Sequence, residues 1–92
     1  MIKDLTIQWL IDEIAERMGP VVRVVDHWDA DLFAIGFESS AAPNRTVYVS
    51  SWERRLGTYH FECQTDGSTT SSGEGDTREL LDALRTHLLV SP

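Results

Sequence analysis

The sequence predicts an α+β domain, a two-layer sandwich in which a four-stranded antiparallel meander carries an N-terminal and a C-terminal helix on one face (order α-β-β-β-β-α). Three observations predict it. Apolar residues recur at helical spacing near each end of the chain. Between them lie four stretches rich in β-branched and aromatic residues, the clearest of which alternate apolar with polar. The segments joining those stretches are too short to hold crossover helices, so neighbouring strands run antiparallel.

The first helix is signalled at its start, along its face and at its end. Asp4 or Thr6 can cap it, because either side chain accepts a hydrogen bond from an orphan backbone amide. Ile7, Leu10, Ile11, Ile14 and Met18 form one apolar stripe, and Glu13 and Arg17 lie four apart with the acid first. Gly19 is expected in a left-handed C-terminal position, and Pro20 prevents continuation.

Strands are expected over Val21–Trp28, Asp31–Glu38, Thr46–Trp52 and Thr58–Thr65. The last alternates most cleanly, with Tyr59, Phe61 and Cys63 on one face and Thr58, His60, Glu62 and Gln64 on the other. Asp66 to Asp76, "DGSTTSSGEGD", contains no large apolar residue and reads as a flexible polar connector. The final helix opens near Asp76, which with Glu79 approximates a capping box. Leu80, Leu81, Leu84 and Leu88 make its stripe, and Arg85 and His87 lie where the helix dipole favours cations.

Size and charge bound the function. Ninety-two residues make a single domain, 1–92, that buries roughly 60–65 % of its unfolded surface. The net charge of -7 disfavours nucleic acid and anionic membranes and favours a basic protein partner. A single cysteine suits a reducing compartment, and no signal peptide is evident, so a cytoplasmic location is expected.

Specific chemistry is weakly signalled. His60 and Cys63 are three apart and point to opposite faces of a strand, so they cannot act as base and nucleophile, and Cys63 is expected in the core. Ser50, His60 and Glu62 share a face but come without a nucleophile elbow or an oxyanion hole. "DHWDAD", Asp26 to Asp31, lacks the glycine and glutamate of a calcium loop, and His27 with His60 lacks a third zinc ligand. The polar connector lacks the lysine of a phosphate loop. No catalytic residue, metal or cofactor is expected.

Tyr48 and Trp52 fall on the water-facing side of their strand, and Glu53, Arg54 and Arg55 follow. Aromatics and arginine on an open surface are the types enriched in interface anchors. The expected function is therefore a small acidic protein-binding module, in the manner of an inhibitor, immunity protein or chaperone-like adaptor. Its contact surface would comprise Tyr48, Trp52, Arg54, His60 and Glu62. The expected partner is a basic protein or a second copy of the chain. The alternative is a small-molecule-binding or hydrolytic domain with a polar site around His60 and Glu62.

Overall fold

The computed structural model of the chain describes residues 4–25, 32–52 and 57–89. Its elements run α1 (Leu5–Met18), β1 (Val22–Val25), β2 (Ala34–Ser39), β3 (Ala42–Ser50), β4 (Thr58–Thr65), β5 (Ser68–Asp76) and α2 (Thr77–Leu88). The strands form one antiparallel sheet in sequence order, β1-β2-β3-β4-β5. The expected α+β architecture is present, with five strands instead of four.

The added strand corrects the reading of Asp66–Asp76 as a connector. Asp66 and Gly67 both have positive φ, 52° and 82°, and form the two-residue turn that reverses the chain between β4 and β5. This backbone shape matches the twist of a hairpin, and Asp-Gly is among the pairs that adopt it most cheaply. Ser68–Asp76 then pairs along the whole of β4, from Thr65↔Ser68 to Thr58↔Asp76. A register shift between Cys63 and Gln64 makes room for Thr70, whose hydroxyl donates to the Cys63 carbonyl at 3.1 Å. Small residues suit this strand for a steric reason. A side chain at Gly73 would begin 3.1 Å from the Phe61 ring on β4, so the glycine leaves the ring a place to lie.

The period of two in the strands sorts their side chains. Ile35 and Phe37 of β2, Val47 and Val49 of β3, and Tyr59 and Cys63 of β4 are buried on one face. Against them pack Ile7, Leu10, Ile14 and Met18 from α1 and Leu80, Leu81, Leu84 and Leu88 from α2. Burying each such aliphatic side chain contributes about 1.5–3 kcal/mol, so this layer is the main source of stability.

The helix ends follow their sequence signals, with one exception. The Asp4 carboxylate accepts from the Thr6 amide at 3.1 Å and caps α1. Asp76 and Glu79 complete a reciprocal capping box on α2. Gly19 is extended, at φ -74°, and not left-handed as expected. Its glycine is needed for space, since a Cβ there would lie 2.5 Å from the Ala15 carbonyl oxygen. The far end of α2 is fastened by His87, whose Nε2 donates to the Gln64 carbonyl at 2.7 Å, and by Arg45, which donates to the His87 carbonyl at 3.2 Å.

Tyr59 is fully buried and its hydroxyl faces Thr77 without a well-formed hydrogen bond. Burial raises its pKa above the ordinary 10.0, and Thr77 draws it part of the way back. A raised folded-state pKa means that stability present below pH 10 is lost as pH climbs through that pKa, because only the unfolded chain ionises freely. In urea titrations, Tyr59→Phe should match or exceed the wild type at pH 8, and its advantage should widen above pH 10. Equal pH dependence in both proteins would show that Tyr59 ionises as readily folded as unfolded.

The fifth strand carries its own test. Amides of β5 that pair with β4 should exchange with deuterium more slowly than amides of an unpaired segment. Gly73→Val should displace Phe61 and destabilise the fold by about 1–3 kcal/mol. Unprotected amides throughout Ser68–Asp76 would return the segment to a connector.

Candidate functional site

Both helices cover the same face of the sheet, and no described element lies across the other. The residues of that second face are set by register, with Ala34, Gly36 and Ser50 buried, Tyr48, His60 and Glu62 part-buried and Glu74 exposed. One row runs Gly36, Tyr48, Glu62, Ser72 across β2 to β5, and the next runs Ala34, Ser50, His60, Glu74. Tyr48, His60, Glu62 and Glu74 are therefore neighbours on adjacent strands, held by backbone ladders and not by loops. At the margin of the face, Arg23 donates to Glu38 at 2.8 Å in an exposed pair that contributes about 0–1 kcal/mol.

His60 is the centre of this arrangement. Its Nε2 lies 3.2 Å from Glu62 Oε2, and its Nδ1 lies 3.9 Å from Glu74 Oε1. Nδ1 is buried and makes no hydrogen bond. Glu62 also accepts from the Thr69 hydroxyl at 2.9 Å. The imidazole thus sits between two carboxylates, one from its own strand and one from the edge strand.

Trp52 follows β3 and is 57 % exposed, with one ring edge against Phe33 at a centroid separation of 5.0 Å. An edge-to-face pair of this kind steadies the indole without hiding it. Of the five contact residues expected from sequence, Tyr48, His60 and Glu62 form one cluster, and Trp52 stands at the end of the strand that carries Tyr48. Arg54 lies outside the described residues, as do Asp26, His27 and Trp28. Glu74 was missed because its strand read as a connector; the Asp66–Gly67 turn was the signal that would have placed it.

Ser50 stands directly opposite His60, which brings Ser50, His60 and Glu62 together as the alternation predicts. Yet Ser50 is buried, and its hydroxyl accepts from the Trp52 amide at 3.2 Å. Cys63 is buried on the opposite face, as expected, and takes no part. Among the described residues, no group of three or more His, Cys, Asp or Glu side chains is arranged to hold a metal ion. No described helix is long and apolar enough to cross a membrane.

No protein-family model matches the chain, and neither the curated proteins nor the solved structures include a significant match to it.

The placement of Cys63 makes a direct prediction. In the native protein the thiol should react with iodoacetamide far more slowly than in urea, and Cys63→Ser should cost about 1–3 kcal/mol by burying a hydroxyl. Equal alkylation rates in the two states would move the thiol to the surface.

Proposed function

We propose that the protein is a small acidic protein-binding module that receives a basic partner on the open face of its sheet. One observation carries the reading. Tyr48, His60, Glu62 and Glu74 are brought into register on a face that no described element covers, with the exposed indole of Trp52 at its end. Aromatic side chains supply contact area at low entropic cost, and the carboxylates supply complementarity to lysine and arginine. The net charge of -7 steers a basic surface towards the molecule before contact. An inhibitor, immunity protein or adaptor would use such a face, as would a homodimer in a variant of the same reading.

The strand pairing beneath these residues supports the role as well. A surface set by a hydrogen-bonded ladder loses little conformational freedom on binding, so more of the contact energy remains as affinity.

Partners should be captured from lysate of the host on wild-type protein, with Trp52→Ala and Glu62→Lys as matched baits. The expected result is a basic partner held by wild type and weakened by Trp52→Ala by about 2 kcal/mol or more, with the variant still folded. Glu62→Lys should slow association and reduce its dependence on salt. A partner that both folded variants hold as tightly as wild type would overturn the assignment of the face.

A further inference from the structure

The helical layer holds a second surface of opposite character. α1 packs chiefly on β1, whereas α2 packs on β3, β4 and β5. The helices therefore sit over different strands, and a cleft of about 610 Å³ opens between them. One wall presents Trp9, Glu13 and Arg17 at intervals of one helical turn, and the other presents Arg78, Leu81, Asp82 and Arg85.

Charge and apolar surface are distributed unevenly here. The chain has only eight lysines and arginines in all, and three of the arginines line this cleft against two carboxylates. Arg17 is bonded to Glu13 and Arg85 to Asp82, so two of the three are already balanced. Arg78 makes no hydrogen bond or ion pair with any described residue, although it stands in the first turn of α2 beside the orphan amides of the helix start. Trp9 is 57 % exposed, and the buried Leu81 also lines the cleft. An exposed indole in the same cleft as a guanidinium that has no ion pair among the described residues is a combination that accepts a ring and an anion together.

The size and the surrounding field narrow the class of ligand. A volume of 610 Å³ falls in the range of about 300–1,000 Å³ typical of small-molecule sites. A polyanion or an acidic protein would meet the repulsion of the whole molecule at -7, which a ligand with one or two charges meets far less. We propose that this cleft binds a small aromatic oxyanion, an aryl carboxylate or a mononucleotide, with its ring against Trp9 and Leu81 and its anionic group on Arg78. The inference is independent of the reading of the open face, which lies on the far side of the sheet.

The test titrates the isotope-labelled protein with 1-naphthoate and with adenosine 5′-monophosphate, following backbone and indole N–H resonances. Inorganic phosphate and 1-naphthalenemethanol serve as controls that lack the ring or the charge. At least one of the two anions should saturate below about 10 mM and shift Trp9, Arg78 and Leu81 together. Which of them saturates distinguishes the two sources of the ligand. Arg78→Gln should weaken that binding by about tenfold or more, and Trp52→Ala should leave it unchanged. Arg78 and Trp52 are exposed in the structure, and matching thermal melts confirm that each variant is folded; Trp9→Ala should lose most of the affinity that Trp9→Phe keeps, and equal affinity in Trp9→Ala and wild type would overturn the ring contact. The proposal fails if neither anion saturates, if phosphate alone binds as well, or if Arg78→Gln binds like wild type.

Discussion

The packing of Ile35, Phe37, Val47 and Val49 against two leucine- and isoleucine-lined helices is the interaction on which the rest of the molecule depends. It assigns a side to everything else. Once alternate residues of β2, β3 and β4 are committed to the core, the residues between them have no choice but the opposite face. A slip of β4 by one residue against its neighbours would exchange its two sets, burying His60 and Glu62 and exposing Tyr59 and Cys63. The cost of that exchange, several side chains at about 1.5–3 kcal/mol each, is what holds the polar cluster of the open face in register. The site is thus a by-product of the core in an energetic sense: nothing within it needs to be strong for it to be well defined.

β5 shows the same dependence at the sheet edge. Its residues carry almost no apolar surface, so the strand cannot be held by burial of its own side chains. It is held by the hairpin turn at Asp66 and Gly67, by its ladder with β4, by the Phe61 ring over Gly73, and by α2, which begins where it ends. The capping box ties these last two elements together, since Asp76 is at once the final residue of the strand and the cap of the helix. The edge strand is therefore clamped at both ends. That clamping matters for the surface, because Glu74 reaches His60 only if the edge is paired.

What the sequence reveals and what it hides follow from this division. The helices and β4 were legible because their apolar residues keep a strict period, and Cys63 could be assigned to the core by parity alone. His60 and Glu62 were placed together by the same rule. β5 was not legible from side-chain pattern, since Ser, Thr and Gly on an edge have no hydrophobic alternation to display; only the Asp66-Gly67 pair announced it. The same omission removed Glu74 from the expected cluster. The extended conformation of Gly19 and the separation of the helices over different strands are tertiary facts, and no local propensity encodes them. The cleft beside Trp9 was invisible for that reason, although Trp9 itself lies plainly off the apolar stripe of α1.

The two surfaces share a logic in how charge is spent. On the open face, carboxylates from neighbouring strands converge on a single histidine, so the local field keeps the sign of the whole molecule. In the cleft, arginines from both helices line one concavity with Trp9, alongside Glu13 and Asp82. A uniform acidic coat would serve solubility alone and would place no cation in such a concentration. Glu13 and Asp82, the carboxylates that line the cleft, are each bonded to an arginine of their own helix, which leaves Arg78 as the lining arginine without an ion pair among the described residues. Solvation alone would satisfy Arg78 if it stood on a convex surface. Set in a concave wall beside exposed aromatic surface, it gains more from an anion that also covers the ring, because the two contacts desolvate each other and strengthen together.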